Sequence, residues 1–379
     1  MKNIFILVSC FLVLAGNAVA ETRYVSDTLE ITMRSGKGTN FGITRMLRSG
    51  TPVEVLEVDK KSGYTQVRTK SGKEGWVLSR FLMNGQAARD RLATAEKNLA
   101  ELELAKAHAA NFLIIGHPKS GNTWLKVMIS RLYQLRYDLP ESKLINTDEL
   151  ARKIPEIPRL AATNGYYSYE GEVGKLLASG APDNPLRHKP VLFLARNPID
   201  IAVSWYHQFT KRQSRAKQEL INHWIDHPID RRKVQMWDFV RHSDIGLPAL
   251  IEYENTWARN VQDLERGLLV KYEELRSEPV PTLQKITRLM GESFSEEEIR
   301  AAVEWGSFDN LQKLETSGTF SQGGMKLVDA NDPSTFKVRR GKVGGYRDDF
   351  PAEQVAELEA LVRDNILPEL GYCQDSAES

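Results

Sequence analysis

The stretch 111–128, NFLIIGHPKSGNTWLKVM, constrains this chain more than any other. Its apolar run 112–115 is short and unbroken, the pattern of a parallel strand buried on both faces. Turn-forming residues from Gly116 to Thr123 follow, and Trp124, Leu125, Met128, Ile129 and Leu132 then recur at helical spacing. A strand, a small-residue loop and a helix in this order present unpaired backbone N–H groups and the positive end of a helix dipole. That combination suits a phosphate.

The loop nearly matches G-x-x-x-x-G-K-[ST], with Gly116, Gly121 and Thr123 in place. Asn122 occupies the lysine position of the nucleotide triphosphatases, and the lysine comes earlier, as Lys119. The displacement puts the ammonium on a different oxygen and disfavours a Mg-ATP hydrolase or a P-loop kinase. PKSGNTW instead resembles the nucleotide loop of the sulfotransferases that use 3′-phosphoadenosine 5′-phosphosulfate (PAPS), whose pattern is P-K-S-G-T-T-W. The resemblance implies a donor site containing Lys119, Ser120, Gly121, Asn122 and Thr123, with Trp124 as an adenine wall.

Two further segments extend it. The run PVLFLA at 190–195 is a second buried-strand candidate, and a strand end delivers Arg196 to the crevice where open α/β sheets bind ligands. Arg196 to Ser204, RNPIDIAVS, resembles the 3′-phosphate motif R-N-P-x-D-x-x-V-S, which implies that Arg196 and Ser204 hold that phosphate. A bare strand-end arginine paired with Asp200 would account for the arginine but not for the string. The segment FKVRRGKVGGY at 336–346 taken alone reads as a solvated basic loop. Beside the other two it resembles the family's R-K-G-x-x-G clamp, implying phosphate contacts from Arg339, Arg340 and Gly341. Tyr272 and Phe308 fall where the family places adenine contacts, with Gly306 where a hydroxyl residue is usual. The expected fold is α/β, a P-loop-type parallel sheet flanked by helices, with 268–271 as a third strand and helices at 295–305 and 352–367.

The 379 residues leave room for two or three domains. Charge is balanced, 51 basic against 50 acidic residues, so no global field points to nucleic acid. Residues 1–20 read as a secretory signal: Lys2, an apolar core at 4–14, and Ala18-Val19-Ala20 for cleavage. The box LVSC at 7–10 would leave too short an apolar core for lipoprotein processing. After cleavage only Cys373 of the two cysteines remains, so no internal disulfide forms. The address is then the periplasm or cell envelope, although the cytosolic origin of PAPS keeps the cytoplasm open.

Residues 21–85 read as a small all-β barrel, with strands at 29–33, 53–58, 64–69 and 76–77. The segments MRSGKGTNFG, LRSGTPVEVLE and YTQVRTKSGKEGWVLSRFL resemble a bacterial SH3 domain, which implies contact with peptidoglycan or peptides. Tyr64, Trp76 and Phe81 are expected in its core or groove wall. Residues 86–110 lack proline and glycine and read as a helical linker, with Leu92, Ala95, Leu99 and Leu102 on a seam too short for a stable coiled coil; a homodimer through it stays open. The sulfotransferase-like domain occupies 111–372 and a tail 373–379.

The implied reaction moves a sulfuryl group from PAPS to a hydroxyl or amine of a small-molecule or saccharide acceptor. It needs chiefly positioning and charge stabilisation, with Lys119 at the leaving group. No metal is demanded: the seven histidines are scattered, and His223 and His227 lack the HExxH pattern. Many family members carry a basic histidine between the first two motifs, where this chain has Ala162-Thr163-Asn164-Gly165. An asparagine cannot take a proton. Either another group serves, with Glu170, His188 and His207 as candidates, or that loop lies elsewhere, or catalysis is impaired. In the last case the chain would be an envelope-binding SH3-like protein with a nucleotide domain that no longer turns over. The region 211–260, with Trp224, Trp237, Trp257, Arg231, Arg232 and Lys233, could meet a sugar or phenol acceptor or form a plain helical lid.

Overall fold

A computed structural model describes residues 30–48, 50–82, 102, 105–141, 150–152, 154–164, 184, 186–319 and 327–372. The signal, most of the linker, Glu170 and the C-terminal tail lie outside the described residues. The chain divides into two compact units, residues 1–94 and 95–379.

The first unit is an antiparallel five-stranded sheet of β1 (Glu30–Arg34), β2 (Ile43–Arg48), β3 (Val53–Asp59), β4 (Tyr64–Thr69) and β5 (Glu74–Leu78), in the order β2-β1-β5-β4-β3. Bulges between Met33 and Arg34 and between Val55 and Glu57 interrupt the register, the means by which a short sheet curls. Met33, Leu47, Val67 and Val77 form its buried core. Tyr64 and Trp76 are buried, whereas Phe81 is exposed under the Arg80 guanidinium. β2 shows no strand pattern in the sequence, because ITRMLR buries only Leu47 and leaves Ile43 and Met46 exposed, erasing the alternation.

The second unit is built on a parallel sheet of β6 (Phe112–Ile115), β7 (Leu160–Thr163), β8 (Val191–Ala195) and β9 (Gly267–Lys271), in the order β7-β6-β8-β9. Every residue of β6 and β8 is buried, as their unbroken apolar runs require. Alternation divides them between two cores. Phe112, Ile114, Leu192, Leu194 and Val270 pack with α1 (Asn122–Tyr137) and with the helices Pro279–Met290 and Glu296–Trp305. Leu113, Ile115, Val191, Phe193 and Ala195 pack on the other face with α2 (Pro198–His207) and with the helices Leu247–Gln262 and Ala352–Asn365. A π-helical turn, Gln208–Arg212, continues α2.

The remaining helices are α3 (Arg215–Trp224), α4 (Met236–Val240), α5 (Leu247–Gln262), α6 (Tyr272–Ser277), α7 (Pro279–Met290), α8 (Glu296–Trp305), α9 (Phe308–Thr316) and α10 (Ala352–Asn365). Ser295 starts α8 with a full capping box to Glu298. Trp257 is a wholly buried core residue of α5, and Trp237 packs edge-on against Phe350. Of the tryptophans between 211 and 260, only Trp224 is exposed.

Candidate active site

The carboxyl ends of β6 and β8 face one cleft, which with its open mouth encloses about 980 Å³. Its walls come from the loop after β6 and the first turns of α1, from Arg196, Asp200 and Ser204, from Tyr272 and Phe308, and from the segment Lys337 to Tyr346. Of the residues singled out as donor contacts, all line it except Ser120, which is buried beside it.

The loop is closed by its own asparagine. Asn122 Nδ2 donates to Gly116 O at 2.7 Å and to His117 O at 3.4 Å, and the Asn122 side chain is buried. Asn122 therefore shapes the loop from inside it, although it also borders the cleft. Gly121 has φ 104°, which a side chain would resist, and a Cβ there would stand 2.8 Å from the Tyr272 ring. Gly121 thereby lets α1 begin with its free N–H groups directed at the cleft. The Ser120 hydroxyl is buried without a hydrogen-bond partner.

Arg196 locks two elements. Its Nη1 donates to Lys119 O at 2.8 Å, and its guanidinium lies 4.3 Å from the Tyr272 ring centre. Asp200 stands 4.0 Å from Arg196 Nη2, so their pairing is loose. The Asp200 carboxylate is engaged elsewhere, accepting from Gly344 N at 2.8 Å and Tyr346 N at 3.2 Å. Arg196 Nε is buried and has no partner. Trp124 meets Tyr272 edge-on at 5.6 Å and donates to Gly306 O at 2.7 Å. A Cβ on Gly306 would lie 2.6 Å from Met128, so no hydroxyl-bearing side chain fits there without repacking.

At the C-terminal segment, Gly341 has φ 61° and sits against Phe308, where a Cβ would approach the ring to 2.6 Å. Arg340 reaches the cleft, but its guanidinium pairs with Asp349 at 2.9 and 3.0 Å. Arg339 is held below the usual arginine range, first by burial and then by Arg340.

The electrostatics are lopsided. Lys119 is 9% exposed and donates to Gln208 Oε1 at 3.4 Å. Burial, then the charges of Lys337 and Arg212, hold its amine well below the lysine range. Lys337 is pushed down to about 8 by burial and Arg212. Against them stands Glu315, wholly buried, whose oxygens accept from Lys337 N at 2.6 Å and Val338 N at 2.8 Å while Arg212 approaches at 3.4 Å. Three cations face one carboxylate there, a charge balance that suits an anion. Lys337, Arg212 and Gln208 are absent from the sequence reading; Lys337 lies inside the recognised basic segment, but nothing in the spacing turns it toward Lys119.

Of the three base candidates, Glu170 lies outside the described residues and the two histidines part company. His188 is exposed ahead of β8, at the sheet end opposite the cleft, and pairs with Glu265 at 2.9 Å. His207 ends α2; both its ring nitrogens are buried without hydrogen bonds. Burial first, then Arg339, Arg340, Lys119 and Lys211, push it down to about 4. Asn164 follows β7, an edge strand that the sequence reading does not anticipate, and Gly116 N donates to the neighbouring Thr163 O at 3.3 Å. It therefore stands at the cleft end of the sheet. Among the described residues, no group of three His, Cys, Asp or Glu side chains could hold a metal.

The family model described as Sulfotransferase domain matches residues 110–367, and that described as Bacterial SH3 domain matches 28–83. Cytosolic sulfotransferase 14 of Arabidopsis thaliana is 28% identical over 271 residues, covering 66% of this chain and 73% of that protein. Flavonol 3-sulfotransferase of Flaveria bidentis is 22% identical over 280 residues, covering 69% and 83%. A crystal structure of a mouse sulfotransferase complexed with PAP, adenosine 3′,5′-bisphosphate, covers 69% of this chain and 86% of its own at 20% identity and a TM-score of 0.44. The family model spans well over half of the chain, which is therefore a member of the sulfotransferase family carrying an N-terminal bacterial SH3 domain.

Proposed function

We propose that the chain transfers a sulfuryl group from PAPS to a hydroxyl or amine of a small-molecule or saccharide acceptor. One observation carries the donor assignment: three sequence segments converge on a single cleft whose buried cations exceed its carboxylates, beside a helix N-terminus and two orphaned donors, Ser120 Oγ and Arg196 Nε. These residues fit a bisphosphorylated adenine nucleotide. The Trp124, Tyr272 and Phe308 rings offer apolar walls for the base. Arg196, Ser204, Arg339 and the Gly341 backbone supply donors for the 3′-phosphate, and Lys119 with the α1 N-terminus supplies charge for the 5′ end.

When bound, PAPS supplies an activated sulfuryl group whose S–O bond to phosphate breaks as the acceptor's bond to sulfur forms. Lys119 offsets the charge left on the phosphate oxygen. The acceptor's proton must go to a base. Of the described base candidates, His207 has both ring nitrogens unengaged and feels the charges of Arg339, Arg340 and Lys119, and nucleotide phosphates would offset the arginines that depress its basicity.

Release of PAP from PAPS, followed over a panel of phenols, amines and sugars, tests the assignment. Lys119→Met should cut kcat by about 10²–10³-fold, the usual cost of losing an oxyanion donor. Release at an unchanged rate in that variant would refute the role. Tight PAP binding without turnover on any acceptor would instead favour an envelope-binding protein with an inactive nucleotide domain.

A further inference from the structure

We propose that Lys337 is a second cation for the transferring end of the nucleotide, facing the same anionic oxygens as Lys119. The inference rests on the donor reading above and adds a residue to it. Lys337 and Lys119 come from opposite walls, one from the segment after α9 and the other from the loop after β6, yet they meet at the same cleft, and Lys337 is among the charges that hold the Lys119 amine down. The meeting is built rather than incidental. Glu315 of α9 fixes the Lys337 and Val338 backbone, and Arg212 of the π-helical turn closes on the same carboxylate and on Thr335 O. The turn also sets Gln208 against Lys119, a use typical of π-helical insertions at working sites.

Like charges brought together lower each other's proton affinity, as Lys337 does to Lys119. The groups around the pair are Arg212, Arg196, Lys126 and His117, with Glu315 the opposing charge. Anion binding reverses the balance: a phosphate or sulfonate between the amines favours both in the charged form. Nucleotide binding near pH 8 is therefore coupled to proton uptake. Affinity is fully present below the free-state titration of the pair and declines as pH rises through it.

Calorimetry in two buffers of different ionisation enthalpy tests this on the mature chain, with PAP, AMP and adenosine 3′-monophosphate as probes. Lys337→Gln should weaken PAP and AMP at least about tenfold, the value of a charge-assisted hydrogen bond. It should leave adenosine 3′-monophosphate unchanged and lower the proton uptake. Lys337→Arg, which keeps the charge and cannot titrate, should hold PAP within about threefold and also lower the uptake; it serves as well if the glutamine variant folds poorly. Wild-type binding of PAP with equal affinity and uptake in Lys337→Gln would overturn the inference and leave the donor site standing. No binding of PAP by the wild type would overturn the donor reading itself.

Discussion

At the residue scale, the active-site cleft is shaped by side chains that never need to touch substrate. Asn122 spends its amide on Gly116 and His117 carbonyls, so Asn122→Ala should cost about 1 kcal/mol of stability and weaken PAP binding by loosening the loop. Unfolding in urea and PAP titration check the two effects. His207 carries a pH signature. Its folded-state basicity is depressed to about 4 from 6.5, so its contribution to stability is present above pH 6.5 and is lost as pH falls toward 4. His207→Gln should flatten the fall in Tm across that window. Glu254 has the opposite sign: buried in α5 beside Glu273, its carboxyl is held well above the usual range by burial and then by Glu273. Glu254→Gln should match wild type near pH 4 and gain on it above pH 4.5, by up to about 1.4 kcal/mol per pH unit. A Tm difference independent of pH would contradict an uncharged Glu254.

At the scale of elements, α9 is the strut of the cleft. Glu315 in its last turn binds Arg212 and two backbone N–H groups of the Lys337 segment. Glu315→Ala leaves those groups unpaired, which should cost about 3–5 kcal/mol and abolish PAP binding; native-like stability in that variant would show the strut to be dispensable. The elements most legible in the sequence are those whose local pattern matches their burial. The runs FLII and VLFLA announce β6 and β8, and the turn residues between β6 and α1 announce the loop. Edge strand β7 is LAAT, four small residues with too little apolar signal to separate from a loop. Its position decides where Asn164 stands. The π-helical turn continues α2 without any break in composition, so Gln208 and Arg212 become visible only in three dimensions. Motif residues such as Arg196 and Gly341 were legible because local backbone geometry and ligand chemistry constrain them together. Lys337 was not, because its partner lies far away in the chain.

At the scale of the whole molecule, two folded units share one chain. The catalytic sheet, its two cores and the cleft all lie within residues 95–379, so a chain starting at residue 95 should bind PAP as the longer one does. Loss of binding on removing residues 1–94 would give the SH3 domain a part in the site. The reading of residues 1–20 as a secretory signal expects Glu21 at the N-terminus of protein recovered from a bacterial envelope; an intact Met1 would place the enzyme with the cytosolic donor instead. The most direct measurement is the thermal shift produced by PAP, against AMP as control, on the chain from residue 21. Ligand at a hundred times its Kd stabilises by about 2.7 kcal/mol, and this shift should appear with PAP, exceed that with AMP, and vanish in Arg196→Ala. A chain whose melting ignores PAP, or whose Arg196→Ala variant responds as the wild type does, would contradict a PAPS site in this cleft.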